Sequence, residues 1–84
     1  MSKSITINSP VTVTAMGFGR DMRAVPRRME FNGQTYHFAD SGLRTVVRKG
    51  EKILQILTMS DGESSFFLRS DVKGSNWTLV GMSV

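Results

Sequence analysis

Apolar and polar residues alternate with a period of two along most of this chain, in short runs cut by glycine-containing turns. Successive side chains of a strand point to opposite faces, so this period predicts half-buried β-strands. Ile5, Ile7, Val11 and Val13 alternate with Thr6, Thr12 and Thr14, and these β-branched residues favour extended backbone. Asn8-Ser9-Pro10 predicts a turn between two strands, because proline fixes φ and removes a donor. Residues 17–26 read as a loop with space for one helical turn from Asp21, bracketed by Gly19 and Pro26.

The strongest local signal is Asn32-Gly33 between Arg27–Phe31 and Gln34–Phe38. Asn-Gly is the preferred pair of a type I′ hairpin, which needs φ > 0 at both positions. A two-residue loop sets 31 against 34, 29 against 36 and 28 against 37. Met29, Phe31, Tyr36 and Phe38 then share one face, and Arg28, Glu30, Thr35 and His37 the other. A second hairpin is expected around Lys49-Gly50, with 48 against 51, 46 against 53 and 43 against 56. It puts Leu43, Thr45, Val47, Leu54 and Ile56 on one apolar face and pairs Arg48 with Glu51 on the opposite one. Residues 51–59 would also fit a short helix, but their length between two turns favours a strand. Asp61-Gly62 turns the chain into Ser64–Arg69, and a last loop, 71–76, leads into Trp77–Met82.

These runs predict one all-β domain over residues 1–84, with about seven short antiparallel strands in a small barrel or two-layer meander. The central strands are apolar on both sides. Val46, Ile53, Leu57, Phe66 and Leu68 fall opposite the first apolar face. Either other parts of the chain cover this second face, or it is a protein interface for a partner or a second copy.

The composition, 39% hydrophobic and 21% charged, belongs to a folded domain and excludes a disordered one. An 84-residue chain has material for one modest core. It has no cysteine, which favours a reducing compartment and, with a single histidine, leaves no ordinary zinc site. The N-terminal residues show no signal peptide, and no run approaches the roughly 20 apolar residues of a membrane span. A cytoplasmic protein with no membrane partner is expected.

Catalysis has little to build on. His37 is the only histidine, and it falls on the polar face of the first hairpin opposite Arg28, where no orienting partner can be assigned. Asp61-Gly62-Glu63 reads as turn chemistry, lacking the run of oxygen ligands that calcium requires. No enzyme, metal or cofactor is expected. Gly17-Phe18-Gly19-Arg20 lacks the third glycine of a phosphate-binding turn. It also lacks the Phe-Val-x-Phe strand that follows glycine-aromatic-glycine in RNA-recognition domains. It reads as a loop with Phe18 anchoring it in the core.

Charge changes the picture more. The net charge of +4 and pI of about 10.1 suit contact with an anionic surface, although such a charge also simply keeps a small domain soluble. Arg20, Arg23, Arg27 and Arg28 fall within nine residues, and Arg44, Arg48 and Lys49 form a second group with Lys52. Brought to one side, they would track a nucleic-acid backbone, with Phe18 or His37 as a stacking platform. Kept apart, they are solvated sheet edges guarded by charge. The sequence thus leaves two non-catalytic binding readings, nucleic acid through the arginines or protein through the second apolar face.

Residues Pro26 to Phe38 resemble the opening of certain small uncharacterised bacterial domains. The shared pattern is an aromatic after proline, then Gly-x-x-Tyr-x-apolar, with Trp-x-Leu near the end, carried here by Phe31, Gly33, Tyr36, Phe38, Trp77 and Leu79. Phe31-Asn32 stands where that pattern has a tryptophan before the glycine. The resemblance implies a small β domain and no particular activity.

Overall fold

The computed structural model describes residues 3–19, 22–39, 42–71 and 76–83. Seven strands form one antiparallel sheet: β1 (Ser4–Phe18), β2 (Ala24–Phe31), β3 (Gln34–His37), β4 (Leu43–Lys49), β5 (Lys52–Ser60), β6 (Ser65–Asp71) and β7 (Trp77–Ser83). Their order across the sheet is β3-β2-β1-β7-β6-β5-β4. This is a pair of meanders joined where β1 meets β7. Arg20 and Asp21, with the expected helical turn, lie outside the described residues, as do residues 72–75 of the expected last loop.

Asn8-Ser9-Pro10 is no turn. β1 runs unbroken for 15 residues, and Asn8 takes φ 52° where the register with β7 shifts between Thr6 and Ser9. Strand-type sequence on both sides makes an irregularity within one ladder cheaper than a chain reversal. A straight strand of this length would span about 50 Å, whereas the longest dimension of the molecule is 35 Å. β1 therefore bends. Its first half pairs with β7 and its second half with β2, with further register shifts between Val13 and Met16.

The bend folds the sheet over itself and makes the core. Val25, Met29 and Phe38 of the β1–β3 half meet Leu57, Met59, Phe66, Leu68, Trp77 and Leu79 of the β4–β7 half in one buried cluster. The Phe66 ring lies 5.1 Å from Tyr36 and 5.4 Å from Phe38, tilted or edge-on to each, which is the favoured aromatic geometry. Each such side chain stabilises the fold by about 1.5–3 kcal/mol on burial. The core-facing Gln55 is satisfied by donating from Nε2 to Ser70 Oγ at 2.9 Å and to the Asp71 carbonyl at 3.1 Å.

The sheet does not close into a barrel, because β3 and β4 are its two unpaired edges. They are linked by residues 38–42, where Ala39 N–H donates to the Ser60 carbonyl at 2.7 Å. Gly42 is needed in this link. It takes φ +74°, and a Cβ there would overlap the Met59 sulfur and lie 3.1 Å from the Thr58 carbonyl oxygen.

The first hairpin has the expected register, with Phe31 opposite Gln34, Met29 opposite Tyr36 and Arg28 opposite His37. Asn32 and Gly33 take φ 52° and 73°. The second hairpin differs: Lys49 faces Lys52, Arg48 faces Ile53 and Leu43 faces Thr58. Its loop is Gly50-Glu51, with Gly50 at φ 63° as the first loop residue, the position that a type II′ turn reserves for glycine. Arg48 therefore does not pair with Glu51. The change moves each partner by two residues, so side chains keep their faces.

Of the two alternatives for the second apolar face, coverage by the rest of the chain holds for Leu57, Phe66 and Leu68, which are completely buried against Val25, Met29 and Phe38. Of that set only Val46 and Ile53 reach solvent, at 55% and 40% exposure. Leu43, on the first apolar face, is instead 74% exposed.

Candidate nucleic-acid interface

The outer face of the β1–β2–β3 half gathers the chemistry. Thr14, Met16 and Phe18 alternate with the partly buried Val13, Ala15 and Gly17, so all three project outward. Phe18 does not anchor a loop in the core. It is 72% exposed and stands opposite Ala24 at the mouth of the β1–β2 hairpin. The hairpin closes through Gly19 N–H donating to the Arg23 carbonyl at 2.9 Å and Met22 N–H to the Gly19 carbonyl at 3.1 Å. Met22, with φ 62° and 78% exposure, forms its tip.

One arginine stands over this strip, and three others lie around the same hairpin. Arg28 Nε donates to Thr14 Oγ1 at 2.9 Å, which fixes its guanidinium over the outer face beside its cross-strand partner His37. Arg27 lies across Gly17, on the side of the strand opposite Phe18: a Cβ there would come 2.8 Å from Arg27 Cγ, so the missing side chain makes room for the arginine stem. Arg23 is exposed at the hairpin end of β2. Arg44 arrives from the opposite edge of the sheet, and its Nη2 donates to the Ala24 carbonyl at 2.8 Å.

The structure thus brings together Arg23, Arg27, Arg28 and Arg44 from the two basic groups. Arg20 lies outside the described residues. Arg48 and Lys49 are exposed but stand four and five residues further along β4 from Arg44, about 13–17 Å away at the rise of a strand. They belong to the β4–β5 hairpin. Sequence reasoning missed Met16 and Met22 as surface residues and misplaced Phe18. The polar alternation of Thr12 and Thr14 continues to positions 16 and 18 and was the available signal.

Elsewhere, an open cleft of about 440 Å³ lies between the start of β5, the end of β6 and the start of β7. Its walls set Lys52 and Arg69 against Asp71, so it is not a uniformly cationic pocket. Among the described residues no group of three His, Cys, Asp or Glu side chains is placed to hold a metal ion. No helix among them is long and apolar enough to cross a membrane. No family model, curated protein or solved structure matches this chain.

Proposed function

We propose that this chain is a non-catalytic binding module that holds single-stranded nucleic acid across the outer face of its β1–β2–β3 half. One observation carries the reading: Phe18 is left 72% exposed on the outer face that also carries Arg28. An exposed aromatic gives up the burial energy it would gain in the core, and a base stacking on its ring restores it. Arg27 and Arg28 on β2, with Arg23 just before it, offer planar forks to phosphates. Stacking and phosphate contacts carry little sequence information, so the binding is tolerant of sequence. A chain without cysteine fits a cytoplasmic site of action.

Fluorescence anisotropy of labelled single-stranded oligonucleotides across a salt series tests this. Neutralising about three or four phosphates gives a slope of roughly −2 to −3 in log affinity against log salt. Phe18→Ala should weaken binding by about 1–3 kcal/mol, the usual worth of one base–aromatic stack. Absence of binding at low salt, or binding indifferent to Phe18, overturns the proposal.

A further inference from the structure

The two open edges of the sheet enclose a seam. No Cα of β4 comes within 8 Å of a Cα of β2 or β3. Yet the side chain of Arg44 bridges from β4 to the Ala24 carbonyl. Neighbouring strands lie about 4.8 Å apart, so two edges separated by one missing strand stand roughly 9.6 Å apart. At Ala24, the arginine N–H serves the carbonyl that the amide of an adjacent strand would otherwise serve.

The exposure pattern agrees. Val46, opposite Gln55, and Ile53, opposite Arg48, lie on the core-facing side of the sheet, since Gln55 and Leu57 of the same strand are buried. Val46 and Ile53 are nonetheless 55% and 40% exposed, because nothing in the described structure covers this margin of the concave face. Leu43 and Val47 are exposed on the other side of the same edge. β4 pairs with β5 alone, which leaves seven residues of edge backbone to receive a strand.

We infer that β4 accepts an extended, acidic segment of a partner protein as an eighth strand. Charge selects the occupant. Between Gly42 and Lys52 stand Arg44, Arg48, Lys49 and Lys52 against one carboxylate, Glu51. A second copy pairing antiparallel about Val46 would set Arg44 against Arg48 of that copy, and like charges directly opposite are destabilising. A segment alternating acidic and apolar residues meets Arg44 and Arg48 on one face and Leu43 and Val47 on the other, in the manner of strand addition. The basic edge thus repels its own kind while attracting an acidic strand. This inference shares only Arg44 with the nucleic-acid proposal and does not depend on Phe18 or on the β2 arginines.

The test is a titration of the isotopically labelled protein with three capped octapeptides, followed by amide shifts and hydrogen exchange. One alternates Glu with Val and Thr, one replaces Glu by Lys, and one keeps Glu but has a central Pro. The Glu peptide should bind saturably, with shifts and exchange protection centred on Leu43–Lys49. The Lys peptide should not bind. The Pro peptide should bind about tenfold more weakly, because it cannot complete the ladder. Arg48→Glu should weaken the Glu peptide by about tenfold or more, while Phe18→Ala should leave it unchanged. Equal binding of the two Glu peptides would reduce the effect to charge attraction and overturn the inference. So would protection of β4 by a single-stranded oligonucleotide instead of the peptide, or a dimer in sedimentation that Arg48→Glu strengthens.

Discussion

Arg44 on β4 donates its Nη2 to the carbonyl of Ala24 on β2 at 2.8 Å, joining two strands of the sheet that share no backbone ladder. The bond holds the curl of the sheet at one end of the seam and draws a cation toward Phe18, which stands opposite Ala24. Arg44→Met keeps the aliphatic stem and removes the donor. It should lower stability by about 1 kcal/mol in urea unfolding and speed amide exchange at the start of β2. Unchanged exchange there would show that the bond does not hold the two edges together in solution.

Phe66 and Phe18 are opposite cases of one residue type. Phe66 is fully buried between Tyr36 and Phe38, and Phe18 is mostly exposed. Phe66→Ala should cost about 3–5 kcal/mol, enough to unfold a domain of marginal stability. Phe18→Ala should change stability by less than about 0.5 kcal/mol. Urea denaturation of both variants checks this, and a large cost for Phe18→Ala would place its ring in the core.

Gly33 and Gly42 separate two reasons for glycine. Both have positive φ, but a Cβ on Gly33 meets open space whereas one on Gly42 overlaps Met59. Gly33→Ala should cost about 1 kcal/mol from backbone strain alone. Gly42→Ala should cost more, because the buried Met59 must also move. Equal midpoints in thermal melts would contradict the packing at the β3–β4 link.

Asp61 gives the acid limb of stability a defined contributor. Its Oδ1 accepts from Ser64 N–H at 2.8 Å and Glu63 N–H at 2.9 Å, and these bonds hold its pKa below the ordinary 3.8. A depressed folded pKa stabilises the fold above the unfolded value. The contribution is fully present above that value and is lost as pH falls from about 3.8 through the folded pKa. Asp61→Asn keeps an acceptor but cannot titrate. Urea midpoints of the parent should therefore drop further between pH 5 and pH 2 than those of the variant. Parallel pH profiles would contradict the assignment.

The sequence by itself determined most features set by neighbours along the chain, although Asn8-Ser9-Pro10 proved to be an irregularity within β1 and no turn. The period of two gave strands, and Asn32-Gly33 specified turn, register and faces together, because a two-residue loop with φ > 0 allows one pairing. At Lys49-Gly50 the same logic missed by one loop position, since glycine suits the first place of one turn type and the second of another. The arginine groups were legible as charge but not as a surface. Only the tertiary structure decided which face of β5 and β6 became the core, burying Leu57, Phe66 and Leu68 while leaving Leu43 and Phe18 in solvent. Both faces of those strands are apolar, so local pattern cannot choose between them. The choice falls to the bend in β1, which swings Met29 and Phe38 over one side and leaves the sheet open between β3 and β4.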